Sequence, residues 1–253
     1  VPEQAIEFAA ADGSPLRGTL CVPAGAGPFP AVLCVHGLTL DQGLFASPAA
    51  ALAHAGVASL RLDLRGHGAS GGQLKAQGFE DQLEDLRHGL RALAARPDVD
   101  AARVGLLGFS MGGAMGAVVS AEAGSPLNAL ALWSPLLKTG PWNQARQGQY
   151  GPPKDGYQEI WDGILVSEKL FSQALDHDPY GAALAFKGPF FVCHGGKDRN
   201  HPQARSVELA QARQAADRSV ASYFPANSGH RYHDAAERAT RDALSAAFFA
   251  SSL

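Results

Sequence analysis

The sequence has no apolar run long enough to cross a bilayer, no basic stripe, no cysteine pair at metal-ligand spacing and no internal repeat. Each absence removes a class of function. The longest apolar stretches, such as Pro189-Phe190-Phe191-Val192-Cys193, are strand-length and fall far short of the ~20 residues a membrane span needs. The 21 Lys and Arg residues are dispersed among 24 Asp and Glu, for a net charge of −3, so nucleic acid is not an expected partner. Cys21, Cys34 and Cys193 all lie in strand-like apolar runs. An odd number without close spacing excludes a disulfide scaffold or a zinc site and predicts buried free thiols. The opening Val1-Pro2-Glu3-Gln4-Ala5 lacks the basic and apolar blocks of a signal peptide, which makes the cytoplasm the expected location. Gly and Pro are scattered rather than gathered into a linker, so the 253 residues, 46% of them hydrophobic, are expected to form one domain over 1–253.

What is present is an alternation of strand and helix patterns. A hairpin is expected first, with Ile6 and Phe8 before an Asp12-Gly13 turn and Leu16, Leu20 and Val22 after it. Strands follow at Ala31–Val35, Val57–Leu62, Val104–Leu107, Leu130–Leu132, Pro189–Cys193 and Ser219–Phe224. Phe79, Leu83, Leu86, Leu90 and Leu93 recur at spacings of three and four, with acids early and bases late, which predicts an amphipathic helix aligned with its dipole. Further helices are expected over Pro48–His54, after Ser110, over Gln203–Ala216 and from Tyr232 to Phe249. Strands apolar on both faces, alternating with helices, predict an α/β fold with a mainly parallel sheet covered on both sides. Residues 139–186 break the rhythm. They are too long for an ordinary crossover, hold Trp142, Tyr150, Tyr157, Trp161, Phe171 and Tyr180, and read as a small inserted cap.

The strongest local signal is Gly108-Phe109-Ser110-Met111-Gly112, directly after one strand and before a small-residue helix. A serine on a tight strand-to-helix turn needs small neighbours two positions either side, and the helix N-terminus beyond it offers N–H groups to an oxyanion. Ser110 is therefore the expected nucleophile. Asn227-Ser228-Gly229-His230 is a polar loop after a strand, the place from which a general base can reach such a serine, so His230 is preferred as base. His233 is its rival, expected to sit inside the last helix. Asp198 ends the run His194-Gly195-Gly196-Lys197-Asp198 after another strand and is the expected acid, with Pro202 launching the next helix. The other reading of Asp198 is a helix cap. A metal site built from His67, His194 and His201 is not expected, because no pair has ligand spacing, and no dinucleotide or phosphate-loop motif appears. No cofactor is expected.

The order Ser110, Asp198, His230, together with Val35-His36-Gly37-Leu38 and Asp63-Leu64-Arg65-Gly66-His67-Gly68-Ala69-Ser70, resembles the α/β-hydrolase superfamily along the whole chain. It is most similar to single-domain microbial esterases of the feruloyl (cinnamoyl) type and to serine aminopeptidase-like hydrolases. The resemblance implies an oxyanion hole from the backbone N–H groups of Leu38 and Met111, and a structural role for the Arg65–Ser70 segment. It also places a valine where His201 stands before Pro202. The implied activity is hydrolysis of a small-molecule carboxylic ester through an acyl-enzyme, with an aminopeptidase or amidase as the alternative. Trp142, Tyr150, Tyr157 and Trp161 are the expected lining of an aromatic-sided acyl pocket, or else the cap's own core.

Overall fold

The computed structural model describes residues 1–160 and 163–253. The hairpin forms as the pattern predicts. β1 (Glu3–Ala9) pairs antiparallel with β2 (Pro15–Cys21). The turn is closed by Asp12, whose carboxylate accepts the Ser14 N–H at 2.9 Å. The chain then runs through β3 (Phe29–Val35), α1 (Ala46–His54), β4 (Ala58–Asp63), α2 (Phe79–Ala94), β5 (Val99–Phe109), α3 (Met111–Ser120) and β6 (Leu127–Trp133). After an insertion come β9 (Phe190–Cys193), α7 (Gln203–Ala215), β10 (Ala221–Tyr223) and α8 (Ala235–Ser252).

The eight-stranded sheet has the order β1-β2-β4-β3-β5-β6-β9-β10. The first two pairings are antiparallel and the remaining five parallel. Alternation along each parallel strand assigns its side chains to two cores. Leu33 and Val35 of β3, Leu106 of β5 and Leu130 and Leu132 of β6 pack with Leu83, Leu86 and Leu90 of α2 and Met115 of α3. Val32 and Cys34, Leu107 and Phe109, and Ala129, Ala131 and Trp133 face the opposite way, onto Leu52 of α1 and Phe249 of α8. Strands buried on both faces cannot show polar alternation, which is why they read as continuous apolar runs. All three cysteines are buried and free, and burial pushes the Cys34 and Cys193 thiols up to about 12.

Between β6 and β9 lies the inserted cap. It holds α4 (Thr139–Tyr150), the two-stranded ribbon of β7 (Tyr157–Ile160) and β8 (Ile164–Ser167), α5 (Glu168–Ala174) and α6 (Pro179–Ala185). Part of it is its own core: Trp142 packs on the buried Phe171 with ring centroids 5.4 Å apart. Among the described residues, no helix is long and apolar enough to cross a membrane.

One helix begins later than its pattern suggests. α8 starts at Ala235 because Asp234 caps it, its carboxylate accepting the Glu237 N–H at 2.9 Å. Tyr232 sits before it at φ 53°, a left-handed conformation no helix accommodates, with its hydroxyl buried against Cys193 Sγ at 3.3 Å. His233 is therefore an exposed loop residue, not a helical one.

Candidate active site

The sheet changes its winding direction at β3 and β5. From β3 the chain passes to β4 on one side, and β5 returns on the other. Loops leaving the C-terminal ends of β3 and β5 thus diverge and open a crevice between them. Ser110 stands in it, between β5 and α3, at φ 54° and ψ −115°. That backbone shape is strained for an L-residue and persists only because its surroundings fix it. The Ser110 N–H donates to the Trp133 carbonyl at 2.9 Å, and its own carbonyl accepts from Ala114 at 3.1 Å and Leu136 at 3.0 Å. Close approach explains two of the glycines. A Cβ on Gly112 would strike the Val35 and His36 carbonyls, and one on Gly37 would come within 2.9 Å of Ser110 Cβ. The β3 loop therefore lies directly against the serine. Met111 opens α3, where N–H groups have no intrahelical acceptor.

His230 and Asp198 arrive from the loops after β10 and β9. His230 Nε2 lies 3.1 Å from Ser110 Oγ, and His230 Nδ1 lies 2.7 Å from Asp198 Oδ2. An ionised carboxylate only accepts, so Nδ1 carries the proton and Nε2 presents its lone pair to the hydroxyl. Asp198 does more than cap a helix. Its Oδ1 accepts the backbone N–H groups of Asn200 at 2.8 Å and His201 at 3.0 Å, while Oδ2 serves two imidazoles. Burial alone would raise its pKa, but hydrogen bonds from His194 and His230 and the His230 charge hold the carboxyl far below its ordinary range.

Two further histidines converge here, and motif reading misses both. His194 is fully buried, and its Nε2 donates to Asp198 Oδ2 at 3.0 Å and to the His201 carbonyl at 3.1 Å. Both partners are acceptors, so Nε2 carries a proton, and Nδ1 lies 2.8 Å from the Ser206 hydroxyl. The four-residue separation of His194 from Asp198 was a usable signal, because a loop folding back on itself brings those positions together. His201 packs edge-on to His230 with ring centroids 5.1 Å apart, and its Nε2 is 3.4 Å from Ser110 Oγ.

Burial, and then repulsion from His230, lower the His201 pKa to about 3. It therefore stays neutral in the fold, whereas in the unfolded chain a histidine takes a proton near 6.5. Below that pH the unfolded state binds the extra proton, so His201 costs stability as pH falls. His201→Val should remove the cost. Urea unfolding at pH 7 and 4.5 should show the acid-side loss of stability smaller in the variant by roughly 2–3 kcal/mol. Equal losses in the two proteins would contradict the burial argument.

The loops beside the serine are held by neutral imidazoles and by the buried carboxylates of Asp63 and Asp85. His36 Nδ1 donates to the Gly37 carbonyl at 2.8 Å, and its Nε2 accepts the Leu64 N–H at 3.2 Å. Burial lowers its pKa, and burial followed by repulsion from His36 takes His67, stacked on it at 4.8 Å, down to about 3. Asp63 accepts the Gln42 N–H at 2.7 Å and the Ala69 N–H at 2.9 Å, tying the β3 loop to the Arg65–Ser70 segment. Arg65 in turn is anchored on Asp85 at 2.7 Å.

A cavity of about 510 Å³ opens above Ser110, within the range for small-molecule sites. Leu38, Met111, His230, Trp142 and Tyr150 line it. Tyr157 does not. It lies with Asp155 and Glu159 in an adjoining groove of about 760 Å³ that shares Gln149, Tyr150 and Ile160 with the first. Trp161 lies outside the described residues. Trp133 is a core residue, with Nε1 donating to Ser245 Oγ at 3.0 Å and Arg241 stacked 3.6 Å above its ring. Among the described residues, no cluster of His, Cys, Asp and Glu could hold a metal ion.

Comparison with known proteins agrees with this architecture. A protein of Mycobacterium tuberculosis is 34% identical over 202 residues, which cover 79% of this chain and 64% of that protein. Esterase FrsA of Escherichia coli is 35% identical over 136 residues, covering 53% of this chain and 32% of FrsA. The chain thus spans less than two thirds of the length of either relative. Among solved structures, Est1E from Butyrivibrio proteoclasticus with ferulic acid bound superposes with a TM-score of 0.81 at 19% identity, covering 94% of this chain and 96% of Est1E. The Pyrococcus furiosus esterase Pf2001 gives a TM-score of 0.72 at 19% identity, with coverage of 99% and 91%. Residues 26–158, more than half of the chain, match the family described as serine aminopeptidase, S33, a match that includes Ser110 and ends before Asp198 and His230. The chain belongs to that family, within the α/β-hydrolase superfamily.

Proposed function

We propose that the protein is a carboxylic ester hydrolase in which Ser110 is the nucleophile, His230 the general base and acid, and Asp198 the residue that orients the imidazole and stabilises its cation. The observation that carries this is the hydrogen-bonded chain Ser110 Oγ, His230 Nε2, His230 Nδ1, Asp198 Oδ2, with links of 3.1 and 2.7 Å, at the floor of a ligand-sized cavity. Ser110 Oγ bonds to the ester carbon as its proton passes to His230 Nε2. The carbonyl electron pair moves onto oxygen, which receives the Leu38 and Met111 N–H groups. The C–O bond to the alcohol then breaks, and that oxygen takes the proton back from His230. Water, deprotonated by the same nitrogen, attacks the acyl carbon, the bond from that carbon to Ser110 Oγ breaks, Oγ takes the proton back from His230, and the acid leaves.

The family's description favours a second reading, an aminopeptidase, and the cavity speaks against it. Holding a substrate ammonium requires carboxylates. No Asp or Glu among the described residues lines the Ser110 cavity, and the cap's Asp155 and Glu159 belong to the other groove. With matched aryl esters and aminoacyl anilides, kcat/KM for the ester should lead by at least a hundredfold. Parity, or an anilide advantage, would return the aminopeptidase reading.

Trp142, Tyr150 and Phe109 on the cavity wall support a planar aromatic acyl group, since each well-placed ring pair adds about 0.5–1.5 kcal/mol beyond burial. The fold's likeness to Est1E, whose structure holds ferulic acid, supports the same preference. Methyl ferulate and methyl p-coumarate should be cleaved with higher kcat/KM than methyl decanoate. Decanoate ahead of both by tenfold, about 1.4 kcal/mol in the wrong direction, ends this preference.

A further inference from the structure

Arg146 of α4 is an unusual cation to find in the wall of this cavity. It is only 6% exposed, and its guanidinium lies 3.4 Å above the Phe171 ring. Nη2 donates to Asn143 Oδ1 at 2.5 Å, but Nε and Nη1 are buried with no hydrogen-bond partner. A buried guanidinium with idle donors is costly unless an acceptor arrives to use them. Burial lowers its pKa to about 10, and Glu168 opposes that shift only through its field, being exposed and in no ion pair with Arg146 among the described residues. The remaining charges in the cavity wall have the same sign. Arg199 and Arg231, both exposed, line it with Arg146 and form no ion pair among the described residues, and no described carboxylate lines the cavity with them.

We propose that the esters cleaved here carry a carboxylate of their own, seated on Arg146, with Arg199 and Arg231 drawing the anion toward the mouth. This deepens the reading above and rests on it. A carboxylate in the cavity gains from the field of this unpaired cation, and a turn of the guanidinium would bring its unpartnered Nε and Nη1, enclosed in this structure, onto the anion. Trp142 and Tyr150 then cover an apolar body between that anion and the ester carbon. The positive wall also opposes an ammonium-bearing substrate, so one arrangement selects for an acid ester and against an aminoacyl group.

The test uses two near-isosteric pairs that differ only in charge. Monomethyl terephthalate against methyl 4-carbamoylbenzoate places the anion on the acyl side. 4-Acetoxybenzoate against 4-acetoxybenzamide places it on the alcohol side. In the wild type, kcat/KM for the carboxylate should exceed that for the amide at least tenfold in one pair. Arg146→Gln should lower that ratio about tenfold, and Arg146→Lys, which keeps the charge, should retain part of it. A purely structural Arg146 would move both members of a pair together and leave the ratio alone. Wild-type ratios at or below one in both pairs would overturn the proposal, as would a favourable ratio unmoved by both substitutions. If the neutral esters are hydrolysed and lose that activity in Ser110→Ala while the ratios fail, the anion proposal alone falls. If no ester is hydrolysed at all, the esterase reading falls first.

Discussion

Ser110→Ala is expected to reduce ester hydrolysis to the background rate, a loss of at least 10⁴–10⁶ in kcat, while the protein stays folded. The size follows from the role, because a missing nucleophile leaves only the contribution of binding and the oxyanion donors. Folding should survive because the backbone that creates the strained turn is held elsewhere. The Trp133 carbonyl, the Ala114 and Leu136 N–H groups, and the packing of Gly112 and Gly37 all remain in the variant. Among the described residues, the hydrogen bonds lost are those of Oγ with His230 and His201. The melting temperature should stay within about 2–4 °C of the wild type, which corresponds to roughly 1 kcal/mol in a chain of this size. Residual hydrolysis above 1% of wild type, with the protein folded, would rule Ser110 out.

Asp198→Asn is expected to lower kcat by about 10⁴, the scale seen when a serine triad elsewhere loses the same charge. The reason here is specific. Two backbone N–H groups fix an oxygen at the Oδ1 position, so the new amide must place its nitrogen where Oδ2 was. That NH₂ would face His230 Nδ1 and His194 Nε2, two atoms that now donate protons to the carboxylate. His230 could accept from it only as the other tautomer, with its proton on Nε2 and no lone pair toward Ser110. The measurements are kcat with near-saturating substrate and circular dichroism to establish folding. A folded variant within tenfold of wild type would mean that the acid lies elsewhere.

Much of the fold is legible in the sequence, and what is not has identifiable causes. The parallel strands announced themselves because both faces are buried, and Ser110 because a sharp turn between a strand and a helix leaves little choice of neighbours. Loop position points to His230 and Asp198, which the structure brings to Ser110, although the preference for His230 over His233 draws partly on a helix start at Tyr232 that the structure moves to Ala235. Asp234, a capping residue visible in the sequence, starts that helix, and the left-handed Tyr232 before it carried no local signal. The roles of His194 and His201 depend on the Asp198 loop closing on itself, so neither is visible as a motif. Tyr157 was placed with Trp142 and Tyr150 on composition. Whether a ribbon residue faces the serine is decided by register, since one step along a strand reverses the side. The idle donors of Arg146 are a property of packing alone, and no sequence pattern records them.

Everything proposed for this site passes through a covalent acyl-serine at position 110, and trapping that intermediate is the decisive experiment. An aryl ester with a slowly hydrolysed acyl group should be mixed with the wild-type protein, quenched in acid within the first turnovers and measured by intact mass. Proteolysis and peptide sequencing would then locate the added group. One acyl group per chain is expected, carried on Ser110 and released with the same rate constant as steady-state turnover when deacylation limits. Rapid hydrolysis with no acylated protein under such limiting deacylation, or an acyl group carried to product on any other residue, would contradict it.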